Sequence, residues 1–96
     1  MLIVRATYLI IYSNRVTKMS DSWIYEQIRT SAIAAHRGQF GVLSTGEQLA
    51  AALVLNRPDL LQVAGYTMVE AIRRVGADWL EYLPQVERDL KNEGVI

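Results

Sequence analysis

STGEQLAAALVLN, residues 44–56, combines a helix-start signal with a long apolar run. Ser44 and Glu47 have the spacing of a capping box, in which a hydroxyl and a carboxylate each bind one of the free backbone amides at a helix start. Residues 49–55 are all apolar. A surface helix normally shows one apolar stripe, whereas this one is apolar nearly all round. The stretch therefore predicts a central helix that neighbouring elements bury on most sides.

Upstream of this stretch, the sequence predicts one longer helix over about residues 22–37. The Ser-Asp-Ser at residues 20–22 can cap its free amides, and Gly38 suits the left-handed position that ends many helices. Apolar residues recur along one face at helical spacing: Ile24, Ile28, Ala32 and Ala35. Phe40 lies between two glycines in the connection that follows, and we expect it to pack as an anchor.

Downstream, glycine and proline divide the chain into shorter helices. Pro58 suits the first position of a helix. Two further capping boxes are Thr67-Met68-Val69-Glu70 and Asp78-Trp79-Leu80-Glu81. We expect Glu70 to pair with Arg73 and Arg74, which follow it at helical spacing. Pro84 predicts either a kink or a break into two helices, over about residues 78–83 and 84–92.

These elements indicate a mainly α fold, a small single domain of five to six short helices. A chain of 96 residues suits one domain and leaves no room for two. We assign residues 19–96 to the helical domain. Residues 1–18 are predicted to form an N-terminal β-strand or a loosely ordered arm.

Residues 1–18 are rich in β-branched residues and tyrosine, unlike the rest of the chain. Alternation favours a strand over about residues 2–12, although a helical stripe fits the same segment. A lone strand needs a partner, which the same segment of a second chain would supply. Met19 also resembles a natural start, in which case residues 1–18 are an upstream extension. The sequence leaves these alternatives open.

Charge and cysteine content exclude several classes of function. Ten basic residues balance ten acidic ones, so no global field attracts nucleic acid. The chain has no cysteine, which excludes disulfides, thiolate metal sites and thiol nucleophiles. The apolar run in residues 6–12 is too short for a membrane-spanning helix, which needs about 20 residues. We therefore expect a soluble, cytoplasmic protein without a membrane partner, in the general style of small bacterial or phage proteins.

Side chains that could catalyse a reaction or bind a metal are scarce. His36 is the only histidine, and it lies near the end of the first helix, where the helix dipole favours a solvated positive charge. General acid–base chemistry needs a base and an orienting partner, and the sequence identifies no such pair. Metal-binding and P-loop spacings do not occur. We expect no enzyme activity, no catalytic, cofactor-binding or metal site, and no small-molecule ligand.

The aromatic residues favour an interaction module instead. The candidate interface residues are Trp23, Trp79 and Tyr82, together with the N-terminal segment. Tryptophan and tyrosine are enriched at the centres of protein interfaces, although the same side chains can simply cap a core. We expect the partner to be a second copy of the chain, as in a homodimer or other homo-oligomer, or another protein.

The alternative is a DNA-associated regulator. Residues 45–64 resemble a weak helix-turn-helix in outline, with two helices joined by a short break. The candidate nucleic-acid contacts are Arg57, Arg73 and Arg74. Against this hypothesis, the second helix has only about two turns, and its apolar residues look like core rather than readers of bases: Leu60, Leu61 and Val63. The neutral charge also disfavours nucleic acid.

Overall fold

The computed structural model describes the backbone of residues 16–96 and the side chains of residues 23–96. Over that range the chain folds into six α-helices and one 3₁₀ turn, with no β-strand. In chain order these are α1 (Val16–His36), the 3₁₀ turn (Phe40–Val42), α2 (Thr45–Val54), α3 (Pro58–Ala64), α4 (Met68–Val75), α5 (Ala77–Leu80) and α6 (Leu83–Asn92). The predicted mainly α fold is confirmed. The predicted strand over residues 2–12 lies outside the described residues and stays a prediction.

Helix α1 is longer than the sequence predicted. It begins at Val16, six residues before the expected start near residue 22, and it ends at His36. Residues 20–22 therefore lie within the helix, and the cap predicted there is wrong. Serine and aspartate favour caps without forbidding a helix interior, and no glycine or proline interrupts residues 16–36. Residue 19, where we placed the start of the helical domain, also lies inside α1.

Helix α2 is the centre of the fold, as predicted. Ser44 and Glu47 form the complete capping box: Glu47 N donates to Ser44 Oγ at 3.4 Å, and Ser44 N donates to Glu47 Oε1 at 3.0 Å. Helices α1, α3, α4 and α6 all pack against α2. Its buried side chains are Leu49, Ala50, Ala51, Ala52 and Val54. The three successive alanines let neighbouring helices approach the α2 backbone closely.

Three groups of buried side chains form the core. The first joins α1, α2 and α6 and contains Ile28, Ala32, Ala50, Val54, Val86 and Leu90. The second joins α2, α3 and α4 and contains Leu49, Ala52, Leu61 and Ala71. In the third, Phe40 packs with Ala35 and Ala51, which confirms its predicted role as an anchor. Alanine accounts for six of the thirteen buried apolar residues in the described range. The core is therefore filled by close approach of the helices rather than by large side chains.

Helices α1, α2, α3 and α6 end in the same way. The residues that take left-handed backbone angles after them are Gly38, Asn56, Gly65 and Gly94. At each end, the next backbone amide donates to a carbonyl five residues back, which is the long bond of a Schellman motif. Asn56 is the exception, because it reaches a φ of 55° with a Cβ atom. Asparagine tolerates that conformation better than most residues.

The chain breaks into two helices near Pro84, which confirms one of the two predicted alternatives. Helix α5 has a single turn, and Pro84 lies in the first turn of α6. The capping box predicted at Asp78 is wrong. Helix α5 begins at Ala77, and the residue before it is Gly76, whose lack of a side chain leaves no side-chain cap. Asp78 lies inside the first turn instead.

Two polar contacts join α1 to α6. The Tyr25 hydroxyl donates a hydrogen bond to Asp89. Arg29 binds Glu93 through Nη2 at 2.6 Å and through Nη1 at 3.2 Å. Burial and the hydrogen bond to Asp89 raise the pKa of Tyr25 to about 12. Tyr25 and Arg29 are four residues apart on α1, and their partners are Asp89 on α6 and Glu93 directly after it. The two helices therefore run parallel.

Candidate functional site

The three predicted interface residues have different environments. Trp23 is exposed, with 63% of its surface accessible. Trp79 and Tyr82 are half-buried, and both pack against the core group that joins α1, α2 and α6. Trp23 is not part of that packing. A role for all three in one interface stays a prediction, and Trp23 is the member that a partner can reach most easily.

Trp23 borders a groove between α1 and the start of α2, which we call the Trp23 groove. The groove has a volume of about 410 Å³ and is open to solvent. Its lining consists of Trp23, Glu26, Gln27, Thr30, Ser31, Leu43 and Glu47. Trp23 and Leu43 supply its apolar surface. The other lining side chains are polar, so the groove offers both an apolar contact and hydrogen-bond acceptors.

The polar side of the Trp23 groove is acidic. Glu47 accepts a hydrogen bond from Gln27 Nε2 at 3.0 Å, and this bond, with those at Ser44, lowers the pKa of Glu47. Glu47 is therefore a carboxylate at neutral pH. Glu26 is exposed and makes no salt bridge with any described residue. Gln27 Oε1 is buried and has no hydrogen-bond donor among the described residues.

Helix α4 carries a second apolar surface. Its core contacts are Ala71, which is fully buried, and Val75. Three larger side chains remain exposed: Met68 at 48%, Val69 at 75% and Ile72 at 41%. Ile72 lies four residues after Met68 and three after Val69, so the three side chains adjoin on the helix surface. We call this surface the α4 face.

Two arginines lie on α4 outside the α4 face. Arg73 and Arg74 are exposed, and neither makes a salt bridge with a described residue. The predicted pairs with Glu70 are therefore wrong. Glu70 is held at the helix start instead, where it accepts a hydrogen bond from Thr67 N at 2.9 Å and completes the capping box. The positive charges on α4 are left uncompensated within the described part of the chain.

The three arginines assigned to DNA binding differ in their acidic partners. Arg57 donates two hydrogen bonds to Asp59, at 2.9 and 2.7 Å, and these lower the pKa of the Asp59 carboxyl. Arg57 thus has a carboxylate partner that Arg73 and Arg74 lack. Of the α3 residues predicted as core, Leu61 is buried and Leu60 is half-buried, but Val63 is exposed. Helix α3 has seven residues, as short as predicted.

The described residues contain little that could form another kind of site. His36 is exposed in the last turn of α1, as predicted. Among the described residues, no group of three or more His, Asp or Glu side chains could hold a metal ion. No helix in residues 16–96 has the length and apolar character needed to cross a membrane.

Comparison with known proteins does not add to this description. No protein-family model matches the chain. No curated protein and no solved structure is significantly similar to it either.

Sequence reasoning missed both the polar side of the Trp23 groove and the α4 face. Gln27 and Glu47 are twenty residues apart, so no local spacing connects them. On α4, Met68, Ile72 and Val75 recur at helical spacing, but periodicity alone cannot divide such a stripe into buried and exposed parts. The small size of Ala71 could have indicated the exposed α4 face. A helix whose one fully buried side chain is an alanine leaves its larger apolar side chains exposed.

Proposed function

We propose that this protein is a small helical interaction module that associates with a second copy of itself through exposed apolar surface. The observation that carries the proposal is the α4 face, where Met68, Val69 and Ile72 are exposed side by side on one short helix. Single exposed apolar residues are normal on any protein. Adjacent large ones mark interaction surfaces more often, because contact with a partner removes them from water.

Trp23 supports the same function from a second position. A tryptophan with most of its surface accessible is costly to leave in water, and tryptophan is the residue type most enriched among the residues that dominate binding energy. In this proposal Trp79 and Tyr82 pack on the core and thereby support the part of the protein surface next to them. We propose no catalytic step, and another protein as partner is the second possibility within the same function.

The test is the solution mass of the full chain, measured by light scattering from micromolar to millimolar concentration. We expect the mass to rise above the 10.8 kDa of one chain as concentration increases. Ile72→Ser should shift this rise to higher concentration, while Val63→Ser, a matched change at an exposed residue of α3, should leave it in place. Circular dichroism checks that each variant is folded. A mass of one chain at every concentration would refute self-association.

A DNA-associated role remains the second candidate, because Arg73 and Arg74 are exposed without an acidic partner among the described residues. A duplex titration at several salt concentrations tests it. Phosphate contacts release counterions, so genuine binding weakens steeply as salt increases. Replacing both arginines by glutamine should then abolish binding. Absence of any salt-sensitive affinity for duplex DNA would remove this candidate.

A further inference from the structure

The two exposed apolar surfaces of this chain carry opposite charge. The Trp23 groove contains the carboxylates of Glu26 and Glu47, whereas the guanidinium group of Arg73 borders the α4 face. Arg74 lies on the other side of α4, near Gly46 of the same copy. We propose that α4 of one copy docks into the Trp23 groove of a second copy. This inference rests on the proposed self-association and specifies which surface meets which.

The apolar parts of the two surfaces match in size and type. The groove offers Trp23 and Leu43, and the α4 face offers Met68, Val69 and Ile72. An amphipathic helix that lays its apolar side chains into an apolar groove is a common mode of protein recognition. Because α4 has only eight residues, its three exposed side chains are contained within little more than one helical turn, which suits a groove of about 410 Å³.

The polar parts match as donors and acceptors. Arg73 lies four residues after Val69, so its guanidinium lies at the border of the α4 face. Glu26 lies three residues after Trp23 on α1, at the border of the groove. Glu47 is held ionised by Gln27 and Ser44. A guanidinium group supplies donors to both carboxylates, and carboxylate–guanidinium pairs are the strongest hydrogen bonds of this kind.

Pairing each surface with itself is less favourable. A contact between two α4 faces would bring the Arg73 side chains of both copies close together. A contact between two Trp23 grooves would do the same for four carboxylates. Like charges placed together across an interface cost several kcal/mol and suppress the wrong arrangement. Only the contact of groove with helix brings opposite charges together.

The experiment uses two full-length variants that each lack one surface. Trp23→Ser removes the groove and keeps α4, whereas Ile72→Ser removes the α4 face and keeps the groove. Every contact needs one intact groove and one intact α4 face. Each variant alone should therefore stay at 10.8 kDa at concentrations where the natural chain associates. An equimolar mixture should form a complex of two chains, 2 × 10.8 = 21.6 kDa, and nothing larger.

A charge-reversal pair repeats the test with exposed residues that do not contribute to the core. Glu26→Arg and Arg73→Glu should each weaken association about tenfold or more, because each alone places like charges in every contact. Mixing the two variants should restore association, because every contact between unlike variants pairs one arginine with one glutamate. The double variant Glu26→Arg with Arg73→Glu, which restores opposite charges in every contact, should associate nearly as well as the natural chain. Val63→Ser is the unchanged control.

The outcomes separate this inference from the proposed function. If the natural chain associates but the Trp23→Ser and Ile72→Ser mixture stays at one chain, the docking arrangement is wrong and self-association stands. The same conclusion follows if either variant alone associates as well as the natural chain, or if the double charge variant is no better than the single ones. If the natural chain never exceeds one chain, both proposals fail.

Discussion

Helices α2 and α4 begin alike and end up in opposite environments. Each starts with a complete capping box, Ser44 with Glu47 in one and Thr67 with Glu70 in the other. Each then carries apolar residues in its remaining turns. Yet α2 has neighbours on several sides and buries five of its ten residues, whereas α4 buries one alanine and leaves its largest apolar side chains exposed.

The difference teaches that the local signals and the burial of a helix have separate causes. A capping box acts within four residues, so it fixes a helix start wherever the helix lies. Burial depends on which other helices arrive, and α2 receives four of them because its successive alanines leave room. Helix α4 lies at the edge of that arrangement. Its exposed apolar residues are therefore available for a partner, as we propose.

The largest expected effect is on the free energy of unfolding, and it differs between α2 and α4 because their core contacts differ. Leu49→Ala in α2 should lower the free energy of unfolding by about 2–5 kcal/mol, because it deletes a fully buried side chain and leaves a cavity. Val69→Ala in α4 should change it by no more than about 0.5 kcal/mol, since that side chain is 75% exposed. Urea unfolding at low protein concentration measures both. Equal losses would mean that α4 is buried in the isolated chain.

The next effect tests whether the two helix starts are equivalent. Ser44→Ala and Thr67→Ala each remove the hydroxyl that accepts a backbone amide, so each should cost about 1 kcal/mol of folding free energy. Thr45→Ala, one residue after the first cap, is the control and should cost much less. Urea midpoints at constant slope give the comparison. A loss confined to Ser44→Ala would show that the α4 cap contributes nothing and would sharpen the contrast between the helices.

The smallest effect concerns a contact that only the α2 capping box has. The hydrogen bond from Gln27, with those at Ser44, holds the pKa of Glu47 below its usual value of about 4.3. Ionised Glu47 therefore stabilises the fold above that pH, and this contribution is lost as pH falls through the lowered pKa. Gln27→Leu should make urea stability less sensitive to acid, whereas Gln62→Leu on exposed α3 should not. An unchanged acid dependence in Gln27→Leu would contradict the assignment.

Much of the fold follows from local sequence, because its helix boundaries depend on short-range chemistry. The start of α2 at its capping box, the start of α3 at Pro58 and the break near Pro84 all depend on residues within one turn. The start of α1 was misplaced because a Ser-Asp-Ser segment favours a cap but does not forbid a helix interior when no glycine or proline interrupts the chain. The local signal for a helix start was present at residues 20–22, but it did not determine where α1 begins.

The candidate site was much less predictable than the fold. Trp23 could be selected because tryptophan is a large apolar residue at the edge of a helical stripe. The contact between Gln27 and Glu47, the exposed α4 face and the bond between Arg57 and Asp59 depend on how helices are arranged or on which of several rotamers is chosen. Helix arrangement and rotamer choice are not encoded in spacing along the chain. The sequence pattern could therefore predict an aromatic interaction surface, but not which residues compose it.

The parallel contact between α1 and α6 has a consequence for how the protein is made. Tyr25 and Asp89 are 64 residues apart. At a synthesis rate of about 5–20 residues per second, α1 waits roughly 3 to 13 s for its partner to be translated. During that interval Ile28 and Ala32 lack Val86 and Leu90, so the largest core group stays incomplete. The apolar side of the longest described helix is therefore fully covered only after translation has passed α6.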